Sequence, residues 1–205
     1  MASQLLRNYL KKRIADQIAF LISAVTSPFL VIAVFSLYTI GYFSANFRSF
    51  VILSAVFIGL SVILPFLYVV CSVKLGKITD VHVALREQRE APFKVAIVGS
   101  LFVLIAFYFM HVPVELFAMA FALLVNGVIF IFLTKYWKVS MHAASLASAV
   151  TIAGLLASSN AFWLYFLLIP VAWARIYRGK HTIRQIILAA FASTAVTAAI
   201  LLLIK

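Results

Sequence analysis

The segment Lys138-Val139-Ser140-Met141-His142 carries two side chains that could act on a phosphate group. Serine is a favoured N-cap, so Ser140 predicts a helix start that places His142 in the first helical turn. A helix N-terminus offers free N–H groups and a partial positive charge, and both favour a phosphate. The same residues are also typical of a serine cap followed by a histidine near the end of a hydrophobic helix.

A second histidine follows a basic turn near the C-terminus. Gly179 permits the turn, and His181 and Gln185 are four residues apart, so they share one face of a helix. The glutamine oxygen could accept a proton from one ring nitrogen and leave the other nitrogen free to attack an electrophile. The alternative is a cluster of positive charges in which the histidine caps a helix.

Together these segments resemble the motifs of the type 2 phosphatidic acid phosphatase superfamily, which includes the vanadium haloperoxidases. The third motif of that family is Ser-Arg, five residues, His, three residues, Asp. Here Ala174-Arg175 is followed after five residues by His181 and after three more by Gln185. The family's aspartate is therefore a glutamine, and its serine is an alanine.

The other two motifs of the family match in part. The second motif is Pro-Ser-Gly-His, and Val139-Ser140-Met141-His142 keeps the serine and the histidine. The first motif is Lys, six residues, Arg-Pro, and here Arg86, Arg89 and Pro92 follow Lys77 with different spacing. The motif order and the two-span separation between motifs fit the family. The resemblance covers about residues 74–190.

The resemblance implies a role for each matching residue. His181 is the nucleophile that forms a phosphohistidine, Gln185 orients it, and His142 acts as general acid and then as general base. The phosphate would be held by Arg175, Arg86, Arg89, Lys77 and Ser140. No metal and no other cofactor is implied, because cationic side chains neutralise the phosphate. We expect His142, Arg175 and His181 to converge near one membrane face, with Arg86 or Arg89 closing the site.

The implied substrate is a lipid phosphate or diphosphate, such as a polyisoprenyl diphosphate, a polyisoprenyl monophosphate or phosphatidic acid. Gln185 in place of the aspartate keeps open a non-catalytic protein that binds anionic lipids, and a small transporter is a further alternative. Positions in the middle of the spans lack charges, which argues against an ion path. Asp16 and Asp80 are the only aspartates, which excludes an aspartate-rich prenyltransferase.

The elements that position these residues are predicted to be transmembrane helices. The chain has 205 residues, of which 66% are hydrophobic and 11% charged, and this composition cannot cover a water-soluble domain. Apolar runs of about 18 residues or more indicate membrane-spanning helices. The sequence predicts a single all-α membrane domain over 1–205 with about seven spans, or six. They are 18–43, 48–74, 93–110, 113–134, 141–158, 161–177 and 183–204.

The longest polar connection, from about Lys74 to Phe93, separates the second and third spans. Val81, Val83 and Leu85 alternate there with charged residues, which predicts a short interfacial helix. Pro92 fits the first turn of the third span.

The charges are distributed unequally between the two faces of the predicted bundle. With seven spans, 15 of the 17 Lys and Arg residues lie on the face that holds the N-terminus, and only Arg48 and Lys205 lie on the other. Such an excess predicts that the N-terminus and the site are cytoplasmic. The net charge of +12 therefore indicates membrane lipids and an anionic lipid substrate as partners, and not nucleic acid. The sequence leaves the oligomeric state open.

Overall fold

The computed structural model describes residues 2–81, 83, 85 and 87–204, with the backbone alone at residues 2, 3 and 5–8. The described residues form helices joined by short turns and contain no β-strand, so the predicted all-α fold is confirmed. The α-helices are, in chain order, Ala2–Val25 (α1), Pro28–Phe43 (α2), Phe47–Ile58 (α3), Leu64–Lys74 (α4), Glu90–Phe109 (α5), Val114–Tyr136 (α6), Met141–Ile152 (α7), Leu168–Tyr177 (α8) and Ile183–Ile204 (α9).

The lengths of these helices define a multi-pass membrane protein. Within the described residues, five continuous helical stretches are long and apolar enough to cross a membrane: Phe47–Lys74, Glu87–Phe109, Val114–Tyr136, Ser159–Tyr177 and Ile183–Ile204. A bent pair, Tyr9–Val25 with Pro28–Phe43, makes a sixth. The predicted span 141–158 is the shorter apolar helix Met141–Ala157. It lies at the centre of the bundle, with every residue from His142 to Gly154 buried.

The first predicted span, 18–43, is interrupted at Pro28. α1 begins far upstream of residue 18, and the two helices meet at a 48° bend. Ser27 accepts a hydrogen bond from the Leu30 N–H and so caps α2. Pro28 at the first helical position has no N–H to donate back into α1, so a new helix starts there.

The second span is continuous but contains a π-helical turn at Gly59–Ile63 between α3 and α4. The Leu64 N–H bonds to the Gly59 carbonyl, and Pro65 has no N–H to offer to Leu60. α5 approaches this turn closely, because a Cβ at Gly99 would overlap the carbonyl oxygen of Leu60. The proline and the glycine thus fix where α5 packs on the interrupted span.

The bundle interior differs between its two halves. α7 packs on α9 and α2, and its small side chains allow these close approaches. In the half remote from the start of α7, large apolar side chains form a continuous core. Its fully buried members include Phe57, Phe107, Leu116, Met119 and Leu201. The other half, toward the start of α7, is hollow in that smaller apolar clusters surround a cavity. We call the end of the bundle at the start of α7 the basic end. The connections 75–89, 137–140 and 178–182 lie there.

The predicted interfacial helix between the second and third spans is not found in the described part of that connection. Gly76 (φ +69°) turns the chain sharply after α4, and the N–H groups of Lys77 and Ile78 bond back to Ser72. The Gln88 side chain accepts from the N–H and hydroxyl of Thr79 at 3.0 Å each. These contacts fold the segment into turns, because its polar groups are satisfied locally. Helical structure resumes only at the 3₁₀ turn Glu87–Arg89.

Candidate functional site

A cavity of about 550 Å³ opens inside the hollow half of the bundle. Four basic or imidazole side chains from distant parts of the chain line it: Arg89, His142, Arg175 and His181. The rest of its wall is mainly apolar and comes from α2, α4, α5, α6 and α7. The three residues that were expected to converge, His142, Arg175 and His181, thus border the same cavity, and Arg89 borders it as well.

His181 lies in the connection between α8 and α9 and is only 7% exposed. Gly179 takes φ +62°, the left-handed conformation that the predicted turn requires, and the His181 N–H then donates to the Arg175 carbonyl. Nδ1 of the ring lies 3.3 Å from Oε1 of Gln185. The sequence-predicted pair of His181 and Gln185 is therefore in contact.

Burial lowers the pKa of His181 to about 4, and the neighbouring charges of Arg175 and Arg89 act in the same direction. The hydrogen bonds to Gln185 and to the backbone of Lys138 favour the protonated ring and oppose this shift. The ring is therefore neutral at neutral pH and holds one proton, which Nδ1 can donate to the Gln185 oxygen. A neutral imidazole keeps a lone pair on its other nitrogen, which a nucleophile needs.

Arg175, in the last turn of α8, is 4% exposed and borders the cavity. Its backbone carbonyl accepts from the N–H groups of Lys180 and His181, so it fixes the turn that carries His181. Its Nε has no hydrogen-bond partner among the described residues. A buried guanidinium N–H without a partner costs free energy, and an anion in the cavity would satisfy it.

Arg89 is buried as well, but part of its guanidinium is already engaged. Nε donates to the Val83 carbonyl at 3.0 Å, and Nη1 donates to the Val139 carbonyl at 3.1 Å. Arg89 thereby ties the connection after α4 to the extended residues that precede α7. It contributes positive charge to the cavity and holds two of its borders together.

His142 is buried in the first turn of α7, as predicted, and borders the cavity. Its Nε2 lies 3.1 Å from the carbonyl oxygen of Ser23. Because a carbonyl can only accept, the proton of this bond sits on Nε2. Ser140 occupies the N-cap position, but its hydroxyl does not cap the helix and has no partner among the described residues. It is fully buried and is not among the residues that line the cavity.

Besides Ser140, one other described residue among the predicted phosphate-binding residues does not line the cavity. Lys77 is exposed and is not among the cavity-lining residues, because the turn at Gly76 directs it to the surface. Arg86 lies outside the described residues, as does His82. Among the described residues, the guanidinium groups that border the cavity are those of Arg175 and Arg89.

Sequence reasoning missed a polar network at the inner end of the cavity. The Asn126 amide donates to Thr197 at 2.9 Å and accepts from Ser193 at 3.1 Å. Ser193 also donates to the Ala144 carbonyl, and Ser148 pairs with Thr197 at 2.8 Å. The sequence signal for this network was Asn126, a lone amide in an apolar span. Amide side chains in membrane helices usually face the bundle interior.

A second missed feature is the helix cap beside His181. Thr182 and Gln185 bond reciprocally, side chain to backbone, in a capping box that the spacing Thr-x-x-Gln would have indicated. The roles of the Val139 and Lys138 backbones had no side-chain signal. No protein-family description, curated protein or solved structure matches the chain.

Proposed function

We propose that the protein is a metal-independent membrane phosphatase that hydrolyses a lipid phosphate or diphosphate, such as a polyisoprenyl phosphate or phosphatidic acid. The observation that carries this proposal is one cavity with a buried cationic end and a long apolar wall. Arginine and imidazole groups suit the phosphate, and the apolar wall suits the lipid tail. Soluble anions would not need such a wall.

The motif resemblance supports the same function. The motif residues His142, Arg175 and His181 are far apart in the sequence, yet all three border one cavity. We therefore propose a divergent member of the type 2 phosphatidic acid phosphatase superfamily. Gln185 takes the place of the family's aspartate and still contacts the nucleophile's ring.

In the proposed first step, the Nε2 lone pair of His181 attacks phosphorus while Nδ1–H donates to Gln185. A bond forms between nitrogen and phosphorus, and the bond from phosphorus to the leaving oxygen breaks. The leaving group is the lipid alcohol, or the lipid monophosphate when the substrate is a diphosphate. His142, in its doubly protonated imidazolium form, gives the leaving oxygen a proton and becomes neutral. Arg175 donates to the phosphoryl oxygens, where negative charge is held in the transition state.

In the second step, His142 accepts a proton from water, and the resulting hydroxide attacks phosphorus. The bond to His181 breaks, inorganic phosphate leaves, and both imidazoles return to their starting forms. Because Nε2 donates to the Ser23 carbonyl, the proton that His142 gives and takes back in these steps is the one on Nδ1.

We propose that this site faces the cytoplasm, because the basic residues are concentrated at the same end of the bundle. Single cysteines in a Cys71→Ser background test this orientation. A membrane-impermeant thiol reagent added outside intact cells should label Arg48→Cys and spare Lys135→Cys. The reverse labelling pattern would refute the orientation.

Phosphate release by the purified protein tests the activity. In detergent with a chelator of divalent metals, wild type should release phosphate from a polyisoprenyl diphosphate or phosphatidic acid. His181→Ala should lose this release and should not retain labelled phosphate as an acid-labile adduct. His111→Asn is the matched control, because His111 is exposed at the other end of the bundle and asparagine tolerates its φ of +51°. Equal phosphate release by wild type and His181→Ala would refute the proposal.

A second candidate function is binding of anionic lipids without hydrolysis. It is favoured by the neutral Gln185 and by the engagement of His142 with Ser23. A binder would retain the lipid phosphate unchanged, and His181→Ala would weaken its affinity without changing any product. Equilibrium binding measured beside phosphate release therefore separates the two functions.

A further inference from the structure

The cavity has a closed inner end. On α5, α7 and α9 its lining extends to Ser100, Ser148 and Ser193. These residues lie about two to three turns from the basic end. The hydrogen bonds of Asn126 and Thr197 close the space there, and beyond them lies the packed apolar half of the bundle. A tail that is longer than the cavity cannot continue toward the opposite face.

The side of the cavity between α2 and α4 is built differently. α2 packs mainly on α7 and α3, while α4 packs on α5, so these two described helices do not pack closely on each other. Phe29 of α2 and Phe66 of α4 both line the cavity, and their rings meet edge to face with centroids 5.3 Å apart. Phe66 is 39% exposed, so this ring contact lies at the outer surface of the bundle.

Both helices are interrupted next to this contact. α2 starts at the 48° bend, one residue before Phe29. α4 follows the π-helical turn Gly59–Ile63, and Pro65 precedes Phe66 directly. Missing backbone hydrogen bonds at such breaks let a helix end move more easily than a regular helix. The two phenylalanines are therefore placed on the parts of α2 and α4 that can separate.

The size of the cavity makes a side exit necessary for long tails. A cavity of about 550 Å³ is of the size that holds a drug-sized ligand, which is smaller than a whole membrane lipid. A phosphate head and the first part of one tail fill it. The remainder of a membrane lipid's tail must leave the protein.

We infer that the lipid tail enters and leaves the cavity sideways, through the gap between α2 and α4, with Phe29 and Phe66 as its movable wall. This inference rests on the proposed function, because the phosphate at the basic end defines which ligand the gap admits. The ligand is a phosphorylated lipid that stays anchored in the bilayer. A short-chain, water-soluble phosphate ester has no long tail that must pass through the gap.

A reversible crosslink across the gap tests the inference. In the Cys71→Ser background, which is free of cysteine, Phe29→Cys and Phe66→Cys are joined by a short thiol reagent that a reductant cleaves. The crosslinked protein should lose turnover of a long-tailed lipid phosphate and keep its turnover of a short-chain, water-soluble phosphate ester. Reduction should restore the lost activity. The pair Trp163→Cys and Phe166→Cys is the control, because both side chains are exposed and neither lines the cavity.

The outcomes separate the two proposals. If the crosslink leaves the turnover of both substrates unaffected, or abolishes both equally, the side entrance is overturned. The phosphatase proposal then still stands. If wild type hydrolyses neither substrate, the phosphatase fails, and the entrance is judged by binding instead. A lipid phosphate with a photoreactive group in its tail should then label α2 and α4 near Phe29 and Phe66. Labelling elsewhere would overturn the entrance too.

Discussion

Nδ1 of His181 lies 3.3 Å from the amide oxygen of Gln185, and the backbone N–H of Thr182 donates to that same oxygen at 3.2 Å. The second contact is half of the capping box that starts α9, so it fixes which atom of the amide faces the imidazole. A neutral glutamine can thus orient His181 where the resembled family uses a charged aspartate. The environment of His181, the proposed nucleophile, is in this way coupled to the start of a helix.

Replacing Gln185 with glutamate should change the pH dependence of the reaction. Glutamate keeps an oxygen for Thr182 and adds a negative charge, which stabilises the protonated imidazole and raises the pKa of His181 from about 4. The acid limb of kcat/KM should therefore move to higher pH in Gln185→Glu. Gln185→Leu, which removes the acceptor, should lower the rate by about a hundredfold or more. An unchanged acid limb in Gln185→Glu would show that another group controls it.

Arg175 should be sensitive even to a conservative change. Lysine keeps the charge but lacks the planar set of donors that can hold two phosphoryl oxygens. Arg175→Lys should lower kcat by about 10²–10³-fold, as for the loss of a donor in the transition state. Arg184→Lys is the control, because Arg184 lies nearby but is exposed and does not line the cavity. Similar kcat values in the two variants would remove Arg175 from the site.

The stability of the protein should fall in mild acid because of His181. Its pKa of about 4 in the folded protein is below the ordinary value of about 6.5. Between these values the unfolded chain takes up the proton more readily, so stability is present above about pH 6.5 and is lost as the pH falls toward 4. The contribution is at most about 3 kcal/mol. Thermal unfolding in detergent should show a smaller difference between pH 7 and pH 4.5 for His181→Gln than for wild type.

Gly179 should be required for the position of His181. Its φ of +62° is unfavourable for any residue with a Cβ, so Gly179→Ala should cost about 1–2 kcal/mol of stability or shift the turn. A shifted turn would move the His181 N–H away from the Arg175 carbonyl and lower kcat. Gly59→Ala serves as the control, because Gly59 has a helical φ of −56° and open space at its Cβ position. Equal kcat for the two variants and wild type would contradict this role.

The sequence predicted the helices of this bundle well where hydrophobicity alone defines them. The last span was expected at 183–204, and α9 is Ile183–Ile204, because a polar cap and a long apolar run leave no alternative. The break between α1 and α2 was harder to place. A proline such as Pro28 indicates a helix break, but the fully separate helix α1 depends on its packing against α8, which is a tertiary contact.

The sequence indicated which side chains form the candidate site, but not which backbone groups bond to them. Histidine, arginine and glutamine at the observed spacings identified His181, Arg175 and Gln185. Arg89 donates to the backbone carbonyls of Val83 and Val139, and a residue of any type could supply such a carbonyl. The fold of the connection after α4 depends on the same bonds. Patterns of side chains therefore could not distinguish its turns from an interfacial helix.

The network around Asn126 should contribute more to stability than a hydroxyl bonded within its own helix. Asn126→Leu keeps a similar volume but removes the bonds to Thr197 on α9 and from Ser193 on α9. Bonds between membrane helices contribute about 0.6 kcal/mol each on average, so the loss should be roughly 1 kcal/mol. Ser193 keeps the Ala144 carbonyl as a partner, which limits the cost.

Thr39→Val is the matched control for this prediction. Thr39 is buried in α2, and its hydroxyl donates only to the Phe35 carbonyl of the same helix. Removing that bond leaves a carbonyl that is still paired in the helix, so the unfolding midpoint should fall less than in Asn126→Leu. Equal midpoints for the two variants would mean that the amide does not hold α6 to α9. The inner end of the cavity would then be closed by apolar packing alone.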